Sequence, residues 1–287
     1  MAAPRFFCAL LAIALLLPLA GHAQTAREMR KQVEGSMLVT GSVDIARDGS
    51  VTAHVLNQAD KLPPYVVSLI ARAVPALRFE PVLVDGAPVL ARAAMSLRLV
   101  ATPGDDGNMQ VGIKSVHFGE EHAPDDPGGV RSIDMTPPRF PMSIAEIGGK
   151  GTVYLLVKVG RDGSVEEAVS EQTNLTALGN AREMESIRRG LEKAAISAAQ
   201  RWTFAPPTRG DGVDNPYWVV RVPVDFRLSS GTDLDDRYGE WVGYVPGARH
   251  RPAWAEPDPP GFSPDTLVAG GVHQGRSRFR LLTPLEG

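Results

Sequence analysis

Residues 151–165, GTVYLLVKVGRDGSV, contain the clearest folding pattern of the chain. Apolar residues occupy every second position of its first half: Val153, Leu155, Val157 and Val159. A period of two is typical of a β-strand with one buried face. The dipeptide Asp162-Gly163 follows, and it predicts a tight turn because glycine accepts the positive φ that such a turn requires. The stretch therefore predicts a β-hairpin whose second strand passes through Val165 and Val169.

A second hairpin of the same kind is predicted nearer the N-terminus. Residues 45–51, IARDGSV, correspond to residues 159–165, VGRDGSV. Apolar and polar residues alternate before the turn, from Val39 to Ile45, and after it, from Val51 to Val55. The two stretches indicate an internal repeat in which Asp48 and Asp162 are turn residues rather than a pair of catalytic acids.

Each predicted hairpin is followed by a helical pattern and a closing strand. Helices are expected at residues 64–76 and at about 181–202, where apolar residues recur at helical spacing. The exits LRFEP (77–81) and WTFAP (202–206) follow, and Trp202 and Phe204 are expected in the core. Turns at Asp85-Gly86 and Asp211-Gly212 precede closing strands at residues 92–99 and 221–228. The order β-β-α-β, found twice, predicts an α+β fold.

The sequence predicts five regions, of which the first is an N-terminal segment of 23 residues. Residues 36–101 and 137–229 form the two modules, and residues 102–136 form a linker with one short strand from Met109 to Phe118. Residues 230–287 form an irregular extension rich in proline and glycine. Its aromatic residues favour an ordered structure, with a final strand at residues 278–282.

The first 23 residues predict export. Arg5 precedes an apolar run, and Gly21-His22-Ala23 provides the small residues of a cleavage site. The run is shorter than the roughly 20 residues of a spanning helix, so we expect a cleavable signal peptide and a periplasmic protein. The alternative is an uncleaved segment that anchors the protein in the inner membrane. Cleavage would remove Cys8, the one cysteine, so no disulfide is expected.

The composition and motifs favour a non-enzymatic protein. The formal net charge of −3 gives no basic surface for nucleic acid. The sequence has no nucleophile elbow and no Ser-x-x-Lys motif, and a hydrolase with an unfamiliar site is the weakest alternative. His117, Glu120, Glu121 and His122 lack the spacing of a zinc helix and are interpreted as a solvated acidic loop. We therefore expect no metal site and no cofactor.

Several motifs around the second hairpin resemble the C-terminal domain family of TonB. They are PRFP (138–141), GGKGTV (148–153), DGSV (162–165), the alanine-rich helix, WTFAP (202–206) and VPVDF (222–226). Together they cover about residues 137–229. The first module lacks the Pro-x-aromatic-Pro motif and resembles the family less closely.

The resemblance implies a protein partner, namely the plug segment of a TonB-dependent outer-membrane transporter. In that family the closing strand offers its edge to an extended peptide, which is recognition by β-strand addition. Carried onto this chain, the edge comprises Tyr217, Trp218, Val220, Val222, Val224 and Phe226. Pro223 lacks an N–H donor, which suits an edge strand. Pro138, Phe140 and Pro141 correspond to the family's Pro-x-aromatic-Pro motif.

Two departures from the family keep a second function open. A force-transmitting TonB has an uncleaved N-terminal helix and a long proline-rich spacer, whereas this chain has a cleavable-looking leader and no such spacer. The extension also has the length to fold over the predicted edge. The alternative is therefore a structural or assembly protein with closed edges and no transport role, and a homodimer that exchanges strands also stays open.

Overall fold

The computed structural model describes residues 33–104, 108–120, 127–210, 212–227, 237–274 and 277–285. The predicted signal peptide lies outside these residues. The fold is α+β, as the sequence predicts. Its strands are β1 (Glu34–Ile45), β2 (Val51–Leu56), β3 (Leu83–Val84), β4 (Ala87–Pro88), β5 (Ala91–Pro103), β6 (Met109–Gly119), β7 (Arg131–Asp134), β8 (Gly151–Gly160), β9 (Val165–Leu175), β10 (Thr203–Ala205), β11 (Tyr217–Phe226), β12 (Val242–Tyr244) and β13 (His273–Gln274). Its helices are α1 (Pro64–Ala73), α2 (Met142–Glu146) and α3 (Ala181–Ala199).

The first sheet has the order β12-β1-β5-β6, with β2 also paired to β1. Strand β1 is long enough to pair with β12 near Glu34 and with β2 from Gly41 to Ile45. Its inward residues, with those of β5, form a core with Val66 and Ile70 of α1. Helix α1 ends at Ala73, where a 3-10 turn from Val74 to Ala76 containing Pro75 takes over.

The second sheet has the order β13-β11-β8-β9. Asn180 is the N-cap residue of helix α3. Its side chain accepts from the backbone N–H groups of Arg182 and Glu183, while the Glu183 carboxylate accepts from the N–H of Asn180. This capping box fixes the start of the helix. Met184, Ile187 and Leu191 then pack on the sheet, and Trp202 and Phe204 are buried in the same core, as the sequence predicts.

The two Asp-Gly turns have the same local geometry. Gly49 and Gly163 have φ values of 80° and 82°. The N–H of Phe79 donates to the carbonyl of Gly49 at 2.9 Å, and the N–H of Phe204 donates to that of Gly163 at 2.9 Å. Each hairpin turn is thus hydrogen-bonded to the segment that follows the next helix in the chain. Both turns need glycine because of the positive φ and because this segment lies so close.

Three segments differ from the sequence-based expectation. The strand expected from Met109 to Phe118 extends to Gly119 and pairs along β5 from Ala94 to Pro103, so it belongs to the first sheet. Residues 131–134, expected in the linker, form β7 and pair with β10. No strand forms at the described residues between 277 and 285; Leu281 makes only an isolated bridge to Phe79.

The described part of the C-terminal extension lies between and across the two sheets. Phe279 and Leu281 complete the first core, and Val245 is buried in the second. The 3-10 turn from Pro264 to Thr266 contacts β5, β6 and β9. Arg98 of β5 donates from Nε to the carbonyl of Asp265 at 2.8 Å. The extension therefore contributes to the packing of both sheets.

Among the described residues, no helix is long and apolar enough to cross a membrane.

Candidate functional site

Strand β11 is paired unequally on its two sides. On one side it pairs with β8 along its whole length, from Tyr217 opposite Gly160 to Phe226 opposite Gly151. On the other side, β13 is the single strand that pairs with it among the described residues, at Val220 and Arg221. The predicted binding edge is therefore occupied at its centre by a two-residue strand of the extension.

Five of the six predicted edge residues have side chains in the second core. Those of Trp218, Val220, Val222, Val224 and Phe226 are buried there. Tyr217 is half-buried, and the Nζ of Lys158 lies 4.2 Å from the centroid of its ring. Any partner at this edge would thus meet the main chain of β11 rather than these side chains.

The outward main-chain groups can be assigned from one hydrogen bond. The N–H of Gly270 donates to the carbonyl of Pro223 at 3.1 Å, so the main-chain polar groups of Pro223 face away from β8. Because the N–H and C=O of one residue point to the same side of an antiparallel strand, those of Val219, Arg221 and Asp225 face outward too. Proline thus stands at an outward position, where its missing donor costs no bond to β8.

The Pro-x-aromatic-Pro motif supports one end of this strand. The rings of Phe140 and Phe226 meet edge to face with centroids 5.6 Å apart. Pro141 is the N-cap residue of α2, and Pro138, the first residue of the motif, is half-buried. The indole Nε1 of Trp202 donates to the carbonyl of Thr136 at 2.9 Å, which fixes the preceding segment. The motif therefore packs against the core rather than standing free as a contact surface.

A buried ionic cluster crosses the opposite face of the sheet. Arg221 of β11 donates from Nε to Oε2 of Glu171 at 2.7 Å and from a guanidinium N–H₂ to Asp258 at 2.6 Å. Arg249 bonds both carboxylates, Glu171 at 2.6 Å and Asp258 at 2.8 Å. The partly exposed Arg251 also lies 3.6 Å from Asp258, so cations and anions compensate one another where charges would otherwise be costly to bury.

The sequence reasoning missed this cluster, although one signal was present. Arg221 is the single cation in the otherwise largely apolar run YWVVRVPVDF. Its partners Arg249 and Asp258 lie in the irregular extension, where no periodicity assigns a neighbour.

Two histidines lie beside the cluster. The half-buried rings of His117 on β6 and His273 on β13 are 6.1 Å apart, and Phe262 lies 5.7 Å from His117. Burial, followed by the nearby His273 and Arg221, lowers the pKa of His117 to about 4. Burial also lowers the pKa of His273, whose Nε2 lies 2.9 Å from the carbonyl of Val268.

The expected solvated loop around His117 is therefore not what the structure shows. His117 lies on a strand, and Glu120 pairs with Arg278 at 2.7 Å. Glu121 and His122 lie outside the described residues. Within the described part of the chain, no group of three or more His, Cys, Asp or Glu side chains is arranged to hold a metal ion.

The far edge of the second sheet is also in contact with the extension. Leu175 of β9 exchanges backbone hydrogen bonds with Val245 at 3.0 and 2.8 Å. The N–H of His250 donates to the carbonyl of Glu171 at 2.8 Å, and Gln172 donates to the carbonyl of Gly247 at 3.0 Å. Residues 245–250 thus follow β9 on its outer side.

Comparison with known proteins found similarity to TonB. The chain is 34% identical over 92 residues to Protein tonB2 of Pseudomonas aeruginosa, a match that covers 32% of this chain and 29% of that protein. It is 34% identical over 100 residues to Protein TonB of two strains of Xanthomonas campestris pv. campestris, covering 35% of this chain and 39% of each relative. The chain thus spans about a third of the length of the curated relatives it matches. No family model and no solved structure matches the chain.

These similarities relate part of the chain to TonB proteins. A stretch of about 100 residues is homologous to TonB, and it supports the TonB-like C-terminal domain indicated by the motifs. The mixed α and β content of the structure is compatible with that domain.

Proposed function

We propose that this protein is a non-enzymatic interaction protein of the periplasm that acts in TonB-dependent transport. In this proposal residues 1–23 are a cleaved signal peptide and residues 137–229 are the TonB C-terminal-like domain. Residues 36–101 are a degenerate second copy, residues 102–136 connect the two, and residues 230–287 are the extension. The homology to TonB over about 100 residues supports the transport role.

The proposed mode of binding is β-strand addition at the outer side of β11. The observation that carries it is the unequal pairing of this strand, which is complete toward β8 and limited to Val220 and Arg221 toward β13. Outward N–H and C=O groups can bind an extended segment of a transporter without any specific side chain. The buried alternate side chains of β11 fix its register.

The first sheet contains a comparable arrangement within one chain. Strand β5 follows the first helix, as β11 follows α3, and β6 pairs antiparallel with it from Ala94 to Pro103. The closing strand of this fold can therefore accept a further antiparallel strand along most of its length. We take this as support for the same geometry between β11 and a partner.

The test is capture of transporters on an altered edge. The full chain would be immobilised and exposed to detergent-solubilised outer membrane, and TonB-dependent transporters would be quantified in the bound fraction. Val219→Pro removes an outward donor while leaving the bonds to β8, and it should lower capture at least fivefold. Val219→Thr keeps the N–H and the branched side chain, so it is the matched control and should bind like the wild type.

Equal capture by both variants, with both folded by circular dichroism, would rule out this edge. Recovery of no transporter by the wild type would rule out the transport role itself. Sedimentation velocity on the same samples would report whether the chain forms a homodimer.

A structural role is the second candidate, and one observation favours it. Residues 245–250 follow the edge of β9 while β13 covers the centre of β11, so the extension contacts both outer strands of the second sheet. A protein whose edges are closed in this way is protected from strand addition. Limited proteolysis separates the two candidates, because an extension that resists cleavage for as long as the sheets do favours the closed structural protein.

A further inference from the structure

Residues 268–274, which we call the strap, lie on the edge that the proposed function needs. His273 and Gln274 pair antiparallel with Arg221 and Val220, and Gly270 donates to the carbonyl of Pro223. Val272 packs against the second core. The strap thus makes the contacts that an added peptide strand would make: main-chain bonds to outward groups and an apolar side chain above the core.

The strap pairs with fewer residues of β11 than β6 pairs with on β5. Strand β6 pairs with β5 from Ala94 to Pro103, whereas the strap has ladder partners only at Val220 and Arg221. It contains Gly270-Gly271, and Gly270 has a φ of 82° with open space where a Cβ would stand. Val268 is exposed. Few ladder bonds and two adjacent glycines are typical of a segment that opens locally.

Both ends of the strap are anchored in buried structure. On its N-terminal side Thr266 and Leu267 are buried, and on its C-terminal side Phe279 and Leu281 are buried in the first core. The strap can therefore leave β11 without releasing the rest of the extension. After opening, its ends keep it close, so it competes with any partner as an intramolecular ligand.

We infer that the strap occupies the β11 edge in the free protein, and that an extended segment of the partner must displace the strap in order to bind there. The inference rests on the proposed function and adds its regulation: the fraction of molecules with an open strap sets the apparent affinity for the partner. It also indicates the partner's chemistry, an extended segment of small residues with an apolar residue at the position of Val272.

A reversible disulfide tests the inference on the full chain. Val220 and Gln274 are directly opposite, and such pairs have Cα atoms about 4.5–5.5 Å apart, within the range of a disulfide. Val220→Cys with Gln274→Cys, in a chain that also carries Cys8→Ser, locks the strap when oxidised. The reduced form of the same protein is the matched control, and circular dichroism shows whether both forms are folded.

The probe is a fluorescein-labelled peptide with the sequence of residues 266–274, measured by fluorescence polarisation. The reduced protein should bind it at least tenfold more tightly than the oxidised protein. Gly270→Pro, which removes the bond to Pro223 and cannot adopt a positive φ, should bind it more tightly than wild type. Gly210→Pro is the control, because Gly210 has a φ of 89° in open space outside the strap.

The outcomes separate this inference from the proposed function. Equal peptide binding by oxidised and reduced protein, or no binding by the Gly270→Pro variant, would overturn the strap as an exchangeable occupant. The same samples are then tested for capture of TonB-dependent transporters. Capture that is equal in both redox forms would contradict the inference about the strap, but it would leave a transport role at another surface in place. Peptide binding that depends on reduction, with no capture of transporters, would support the strap and contradict the transport role.

Discussion

Arg221 and Glu171 form a buried ion pair across the width of the second sheet. The Nε of Arg221 is 2.7 Å from Oε2 of Glu171, and their side chains are 6% and 0% exposed. The two residues lie on β11 and β9, with β8 between them. Arg249 and Asp258 of the extension complete the cluster, and Phe262 lies 4.7 Å from the Arg221 guanidinium. The extension is therefore bound to the sheet through charges as well as through apolar contacts.

Removing one charge of this cluster should destabilise the protein. Glu171→Gln leaves Arg221 and Arg249 with Asp258 as their shared carboxylate. An uncompensated buried charge costs about 3–5 kcal/mol, and the remaining carboxylate places the expected loss near 3 kcal/mol. Urea unfolding followed by circular dichroism measures it.

The control is an ion pair of the same type on the surface of α3. Glu185 lies 3.6 Å from Arg189, and both side chains are more than half exposed. Glu185→Gln should change the free energy of unfolding by no more than about 0.5 kcal/mol. Equal losses for the two variants would contradict the buried role of the cluster.

Adjacent leucines test whether the extension is part of the first core. Leu281 is buried in that core, whereas Leu282 is 56% exposed. Leu281→Ala should lower the free energy of unfolding by about 3 kcal/mol, because it removes buried methyl groups and leaves a cavity. Leu282→Ala should stay within about 0.5 kcal/mol. A loss below 1 kcal/mol for Leu281→Ala would show that the extension is not needed for this core.

The parts of the fold that could be predicted are those with local signals. Alternating residues located β8 and β9, and the two Asp-Gly pairs located both hairpin turns. Asp85-Gly86 is a further example: both residues have positive φ, and they join β3 to β4 as a type I′ turn requires. Pro223 lacks an N–H and so suits an edge strand, and it lies at a position of β11 that faces away from β8.

The rest depends on contacts between residues far apart in the chain. Nothing in the local pattern around His273 or Asp258 indicates β11 as the neighbour, because a two-residue strand and a loop carry no period. The alternation that located the two hairpins also did not show that Val220 and Val222 of β11 are buried in the second core. The sequence therefore predicted the position of the closing strand β11, but not that residues 273–274 lie on its edge.

Gly163 of the second hairpin turn should resist substitution for two reasons. Gly163 has a φ of 82°, and a Cβ there would lie 2.0 Å from the carbonyl oxygen of Phe204. Gly163→Ala therefore adds a clash with backbone to the cost of a left-handed conformation, and we expect a loss of at least about 3 kcal/mol. Gly86 also has a positive φ, but a Cβ there meets nothing within 4 Å. Gly86→Ala should cost about 1 kcal/mol, and thermal unfolding of both variants would reveal a difference. Equal melting temperatures would show that the turn can move away from Phe204.

The stability of the protein should fall as the pH is lowered from 7 to 5. Burial, with His273 and Arg221 nearby, lowers the pKa of His117 from 6.5 to about 4 in the folded state. Between these values the unfolded chain binds a proton that the folded chain does not, so folding is most favoured above pH 6.5 and weakens below it. For His117 alone the loss from pH 7 to pH 5 is about 2 kcal/mol, and the lowered pKa of His273 acts in the same direction.

The measurement is urea unfolding of the wild type and of His117→Leu at both pH values. Leucine keeps an apolar side chain against Phe262 and does not titrate, so this variant should lose about 2 kcal/mol less than the wild type over the same interval. His250→Leu replaces an exposed histidine and should follow the wild type. If His117→Leu lost as much stability as the wild type, the pH dependence would have to arise from other groups.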